Sequence, residues 1–396
     1  MYTLVNQIII DMKKEAIIVT AFLNYDYEIR IKYLRKYLEY RDYSCKIVSS
    51  DYDHRNKQIY TTDVTGVKLL NVPRYKRNMS VARIYSHFVF ANKCKNYILN
   101  EKPDLVYAIV PPNFLVSRII SIKKYTKLKV IFEVEDLWPE SLPIPNNIKA
   151  LGKFFLDFWK IPRDKSLFKA DFVVFECDLF KKLLTNSDNA GCGSKTIYLT
   201  KDDQFKISQY EYRDETLSYL YIGSVNNLID IDIIIRILLE SQKYKKTQLH
   251  IIGKGEKLDN LVSLCKSNNI KVESLGTIYD DKEKEHVFLN SHFGLNIMKN
   301  TVVVGATMKS LEYFYYGLPI LNNIKGDTCN ILDKNECGIN IKNDDIVAAV
   351  KIAVDTLDNK VDYLKMRGNS RVVYDKLFSP HAFYNSFEEV YKRANL

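Results

Sequence analysis

The chain reads as an α/β protein of two doubly wound domains, each a parallel sheet with helices on both faces. Two observations predict this. Short apolar runs alternate with amphipathic stretches at βαβ spacing over residues 15–200. A polar stretch, KDDQFKISQYEYRDET (201–216), then interrupts the alternation, which restarts after it. With 396 residues and 46% hydrophobic content, the chain is long enough for two cores. The domains are expected at 13–205 and 216–379, with 201–216 as the linker.

In order, EAIIVTAFL (15–23) is a buried strand and Tyr25 to Arg41 an amphipathic helix. CKIVSS (45–50) and VKLLNV (67–72) are strands, and Ser80 caps a helix running to about Asn100. DLVYAIV (104–110), KVIFEVED (129–136), DFVVFEC (171–177) and KTIYLT (195–200) complete the first sheet. The second sheet takes LSYLYIG (217–223), QLHIIG (248–253), IKVESLG (270–276), HFGLNIM (292–298) and PILNNI (319–324), with helices between. A last helix is expected from Pro380 to Ala394. Ligands of such sheets bind at the carboxyl ends of the strands, so the loops after each strand are the ones to read for chemistry.

Composition narrows the class. No apolar run reaches ~18 residues, so no membrane span is expected. No signal-peptide cleavage pattern is present, and Met12-Lys13-Lys14 reads like a natural start with residues 1–11 as an upstream extension. Seven cysteines without Cys-x-x-Cys spacing and six dispersed histidines argue against a disulfide framework or zinc site, and for a reducing cytosol. The net charge of +10 is uneven: residues 1–200 hold 32 Lys and Arg against 21 Asp and Glu. This basic half suits an anionic lipid surface or nucleic acid, or is simply a solvated lysine-rich face.

The densest chemistry lies in VVVGATMKSLEYFYYGLP (302–319). Gly305-Ala306-Thr307 is a small-residue turn that lets backbone approach a ligand. A helix follows near Met308, and its N-terminal N–H groups and partial positive charge suit phosphate. Lys309 and Glu312 share a helix face. The first can pair with a diphosphate, the second with ribose hydroxyls. An ordinary strand–turn–helix with a surface Lys–Glu pair is the alternative.

This stretch resembles the donor-sugar signature of family 4 glycosyltransferases, enzymes of the GT-B fold, in which a Lys stands three residues before a Glu-Tyr pair and Gly-x-Pro follows. The family pattern has two glutamates eight apart. Glu312 matches the second, and Val304 stands in place of the first, which in the family contacts the transferred sugar. LYIGSVNN (220–227) matches the strand entering the phosphate loop, with Gly223, Ser224 and Asn226 as donor contacts, but Ser224, Asn226 and Asn227 replace the usual Arg and Lys. HIIGKGEKLDNL (250–261) matches the strand-Gly-x-Gly-helix, with Gly253 and Lys254. LGTIYDDKEKEHVFLNSHFGLNI (275–297) matches the segment whose Gly-x-Ile turn lies near the base, with Gly276, Thr277 and Ile278. With Gly305, Ala306, Thr307, Met308, Ser310 and Glu312, these form the donor site that the resemblance implies. It spans residues 217–323 in the right order. The resemblance also implies that the last helix, 380–396, crosses back onto the first domain.

In the first domain, EVEDLWPES (133–141) resembles the Asp-Leu-Trp-Pro segment of family members that build bacterial capsule and exopolysaccharide. Glu135 and Asp136 can position the acceptor hydroxyl, with Lys309 as the charge partner of the leaving diphosphate; alternatively the two acids cap the turn. Asn24, Asp26, Arg30, His54 and Trp138 are candidate acceptor contacts. DYDHRNK (51–57) contains Asp-x-Asp, read as a polar loop and not a metal site, in which His54, Arg55 and Lys57 can touch donor phosphate or an acceptor pyrophosphate. IKALGKFFLDFWK (148–160) suits a membrane-interface helix or a core-facing one.

The resemblance therefore implies a glycosyltransferase that moves a sugar from a nucleotide-diphosphate donor to a saccharide acceptor, lipid-linked, for cell-surface polysaccharide, with retention. No metal or other cofactor is expected. The enzyme is expected in the cytoplasm, peripheral on the inner membrane face and without nucleic acid. A catalytically silent GT-B subunit that binds a glycan or partner is the rival reading, favoured by Val304 and the missing phosphate-loop cations.

Overall fold

A computed structural model describes residues 13–23, 29–142, 153–185, 191–203 and 207–396. Asn24 and Asp26 lie outside the described residues, as do residues 148–152 of the aromatic-lysine stretch.

The first sheet has seven parallel strands, ordered β5-β2-β1-β6-β7-β8-β9. They are β1 (Lys14–Val19), β2 (Tyr43–Ser50), β5 (Val67–Leu70), β6 (Leu105–Val110), β7 (Lys129–Val134), β8 (Phe172–Phe175) and β9 (Gly193–Thr196). The central strands are apolar runs buried on both faces; all six residues of β6 are buried. A small antiparallel pair, β3 (Tyr52–Asp53) and β4 (Gln58–Ile59), stands where the Asp-x-Asp loop was expected. The Asp53 carboxylate accepts from the backbone N–H groups of Arg55 (2.7 Å) and Asn56 (3.1 Å), so this acid serves the turn.

Helices α1 (Ile29–Tyr40), α2 (Val81–Glu101), α3 (Asn113–Lys123), α4 (Lys153–Asp164) and α5 (Asp178–Leu184) cover the sheet. Ser80 caps α2 as expected, accepting from the Arg83 N–H at 3.2 Å. On α4, Trp159 is buried against Trp138, while Phe158 is 59% exposed.

The second sheet runs β12-β11-β10-β13-β14-β15, also parallel. Its strands are β10 (Thr216–Ile222), β11 (Lys246–Ile252), β12 (Lys271–Ser274), β13 (Phe293–Asn296), β14 (Ile320–Asn322) and β15 (Gly338–Asn340). Its helices are α6 (Ile231–Gln242), α7 (Leu258–Ser267), α8 (Asp281–Leu289), α9 (Met308–Tyr315), α10 (Asp327–Asn335), α11 (Ile346–Asp358) and α12 (Lys360–Leu377). Residues 201–203 and 207–215 join the sheets with neither helix nor strand.

The last helix, α13 (Pro380–Arg393), packs on α1 and β9 of the first domain. Phe383, Phe387 and Val390 belong to the same core as Ile31, Leu34 and Tyr107. Strand order reverses at β1/β6 in one sheet and at β10/β13 in the other, and these switch points place the crevice at the strands' carboxyl ends.

Candidate functional site

Helix α9 presents the expected Lys309 and Glu312, and a capping box fixes its start. The Thr307 hydroxyl accepts from the Ser310 N–H at 3.0 Å, and the Ser310 hydroxyl accepts from the Thr307 N–H at 3.1 Å. Ser310 is fully buried by this duty, so its side chain does not face a donor. Thr307 also donates to Asn296 Oδ1 at 3.0 Å. Asn296 donates to Asn322 (2.9 Å), and Asn322 to Asn340 (2.8 Å), a ladder across β13, β14 and β15. The N-terminus of α9 is thus anchored to the sheet through buried amides.

Lys309 runs beside Gly223 at the end of β10, its Nζ 5.1 Å from the centre of the Tyr221 ring. Among the described residues it has no carboxylate partner. Burial pulls its ammonium down to about 8. Glu312, one turn on, is already held: its Oε1 lies 3.3 Å from Lys201 Nζ and 4.0 Å from Lys284 Nζ. Its Oε2 is buried without a partner, which leaves one acceptor for a hydroxyl.

The glycines have a different cause from the one the sequence suggested. A Cβ on Gly253 would overlap the Gly223 carbonyl, and one on Gly255 would lie 2.7 Å from the Val225 nitrogen. These glycines let the loops after β10 and β11 pack on each other, with the Gly253 N–H donating to the Gly276 carbonyl at 2.6 Å. Gly305 likewise faces protein: a Cβ there would clash with the Asp327 carboxylate and lie 2.7 Å from Cys177 Sγ. Its smallness serves the junction between domains. Lys254, Ser224, Thr277 and Met308 are exposed and Ala306 is half-buried, whereas Ile278 is buried in the core with Leu311 and Phe288. Asn226 closes its own turn by accepting from the Leu228 N–H at 2.9 Å.

Across the junction, Asp327 at the start of α10 caps α5. It accepts from the N–H groups of Asp178 (2.6 Å) and Leu179 (2.9 Å) and from the Tyr198 hydroxyl (2.8 Å). Just before α5 stands Glu176, a residue that the sequence reading passed over. Burial, opposed by Arg30 and reinforced by Asp136, Glu133 and Asp327, pushes its carboxyl up to about 8. The signal was available: it is an acid at the end of an apolar strand, DFVVFEC. Tyr279, 74% exposed beside the Gly276–Ile278 turn, was passed over too.

The first-domain candidates divide. Arg30 is buried and committed: it pairs with Glu133 at 2.5 Å and donates to the carbonyls of Tyr198 (3.0 Å) and Ile197 (2.5 Å). It is a strut beneath the site, each of its three nitrogens already partnered. Asp136 Oδ1 accepts from the Ser141 hydroxyl (2.5 Å) and the Leu137 N–H (3.0 Å), the capping role held open above. Burial raises its pKa. Glu135 is half-buried beside it. Trp138 is largely buried among Phe22, His87 and Trp159. His54 packs on Phe22 at 4.7 Å; burial first, then Arg83, lower its pKa to about 4, so its ring is neutral at pH 7.

No family model matches the chain, and no curated protein sequence does. Solved structures do match. A sucrose-phosphate synthase from Thermosynechococcus elongatus superposes with a TM-score of 0.69 at 11% identity, over 96% of this chain and 99% of that one. Anabaena HepE in complex with UDP gives 0.64 at 11% identity over 96% and 99%. The lipopolysaccharide outer core galactosyltransferase WaaB gives 0.64 at 13% identity over the same shares. At such identities the likeness speaks to architecture: over nearly its whole length, this chain has the GT-B fold of these glycosyltransferases.

Proposed function

We propose that the protein is a glycosyltransferase that moves a sugar from a nucleotide-diphosphate donor to a saccharide acceptor. The observation that carries this is Lys309, a half-buried ammonium without a carboxylate partner among the described residues, beside Gly223 and in the first turn of α9. A diphosphate there meets one cation and the helix N-terminus, which stabilise charge on the leaving group. The departing phosphate oxygen takes the acceptor proton as the new glycosidic bond forms on the same face, giving retention. This reading uses no metal or other cofactor. Glu312 offers its free oxygen to ribose, and Tyr279 offers a ring face to the base. The complexes of HepE with UDP and UDP-glucose support a uridine nucleotide as the first donor to test.

The acceptor we propose is a lipid-linked saccharide of cell-surface polysaccharide assembly, met at the cytoplasmic face of the membrane. Exposed apolar side chains support surface attachment: Met79 before α2, Val81, Tyr85 and Phe88 on it, and Phe158 and Ile161 on α4. Helices α2 and α4 both pack on α3. No described helix is long and apolar enough to cross a membrane.

The rival, a silent GT-B subunit, is favoured by Val304. Hydrolysis of a panel of nucleotide sugars, run alongside thermal shift with UDP, GDP and dTDP, separates the two. Turnover of one donor and a shift with its nucleotide are expected. No shift and no hydrolysis would leave the silent subunit.

A further inference from the structure

The first domain contains a buried cation that the donor site does not use. Arg83, on the first turn of α2, is 5% exposed. Its guanidinium lies 4.0 Å from the centre of a Trp138 ring, 5.5 Å from that of Phe22 and 5.7 Å from that of Tyr75. Its polar contacts are weak for a charge: it donates to the Asn78 carbonyl at 3.2 Å and to the Tyr75 phenol, and its Nε has no partner. No carboxylate pairs with it among the described residues. Burial lowers its pKa, with partial relief from Tyr75 and Asp136.

Of its neighbours, Lys57 adds positive potential. Lys57, whose Nζ is 5.0 Å from the Tyr75 ring centre, donates to the His54 carbonyl and to Asn78; it forms no ion pair among the described residues, though the Asp53 charge acts on it. His87 stacks on Trp138 with both ring nitrogens buried and unpartnered. A buried guanidinium without an anion is costly. Here it sits where the chain leaves β1, β2 and β7, on the carboxyl side of the β1/β6 switch point. That is where a ligand of such a sheet belongs.

We infer that Arg83, with Lys57 beside it, forms an anion subsite for the acceptor, so that the acceptor carries a phosphate or carboxylate next to the sugar that receives transfer. This rests on the proposed function for the word acceptor; the anion site itself does not. A guanidinium packed over the Trp138 ring keeps its planar fork of N–H donors, which can make bidentate contact with either anion.

The test uses the full chain carrying Lys309→Ala, which removes the donor-site cation. Inorganic pyrophosphate and D-glucuronate are titrated in thermal shift and calorimetry. Pyrophosphate is expected to bind, and Arg83→Met, which keeps the packing on Trp138, is expected to weaken it at least about tenfold, the scale of losing a charge-assisted hydrogen bond. Binding of glucuronate instead identifies a carboxylate acceptor. Lys57→Gln, at a more exposed position, is expected to weaken the same anion severalfold and decides the matter if Arg83→Met does not fold. If neither anion binds, or if binding survives the substitutions unchanged, the subsite is overturned and Arg83 is a packing residue. Donor hydrolysis by the unsubstituted protein is scored separately. Its loss alone would sink the transferase reading and leave the anion site standing.

Discussion

The Cε of Lys309 lies 3.3 Å from where a Cβ on Gly223 would stand, so a methyl there would press the lysine aside by a few tenths of an ångström. Gly223 also has φ = 111°, a conformation L residues rarely adopt. Gly223→Ala is expected to displace Lys309 and to weaken UDP binding at least tenfold, by roughly 1.4 kcal/mol or more. A fall in melting temperature should accompany it. Calorimetry with UDP checks this; unchanged affinity would mean that Lys309 does not touch phosphate.

Lys309→Ala is expected to lower kcat by roughly 10²-fold or more, with a smaller loss of donor affinity, because charge grows on the diphosphate in the transition state. The ammonium titrates near 8 in the free protein, below its ordinary value, and binding of an anion restores its proton. Donor affinity should therefore be flat below pH 8 and fall as pH rises above it, by up to about tenfold per pH unit. Lys309→Ala should abolish that slope.

Glu312→Gln keeps the shape but loses the charge that Lys201 and Lys284 share. It is expected to raise KM for the donor with little change in kcat, since ribose contacts do not alter during reaction. The loss of stability should be about 1 kcal/mol, because Lys201 keeps Asp281 at 3.4 Å. Steady-state kinetics and urea titration separate the two effects.

Asp327 is 2% exposed and joins the two domains through three accepted hydrogen bonds. Asp327→Ala strands the Asp178 and Leu179 N–H groups and is expected to cost about 3 kcal/mol. Asp327→Asn should cost less. Gly305→Ala, which drives a methyl into the same junction, is expected to resemble Asp327→Ala in urea denaturation.

Glu176 titrates near 8 in the fold, above its ordinary carboxylate value. The folded state therefore holds a proton that the unfolded chain releases near pH 4.5. The stability that the neutral carboxyl contributes is complete below pH 4.5 and is lost as pH rises towards 8. Glu176→Gln should flatten that decline in a pH series of urea midpoints. An unchanged slope would show that Glu176 is already ionised at neutral pH.

Where the sequence spoke plainly, it did so through local rules. Strands such as LVYAIV are apolar throughout because helices cover both faces of the sheet, and Ser80 and the Gly-Leu-Pro after α9 punctuate their helices by their own chemistry. What it hid depends on distant partners. Gly305 read as a ligand-facing turn because nothing local announces Cys177 and Asp327. Arg30 read as a cleft residue because its carboxylate, Glu133, lies on β7, and Ser310 read as a donor contact because a capping box with Ser in place of Glu is easily missed. Arg83 carried no motif; its isolation becomes visible only once Phe22, Tyr75 and Trp138 close around it.

Helix α13 sets an order of events on the ribosome. The face of the first sheet that holds Tyr107 and Ile31 is sealed by Phe383, Phe387 and Val390, which are made only after the whole second domain. The first domain therefore waits, one apolar face uncovered, while some 180 further residues are synthesised, at ~5–20 residues per second. An isolated fragment ending at residue 205 should precipitate or bind chaperones. The same fragment supplied with a peptide spanning 380–396 should recover solubility, because the chain beyond the second domain contributes a single helix to that core.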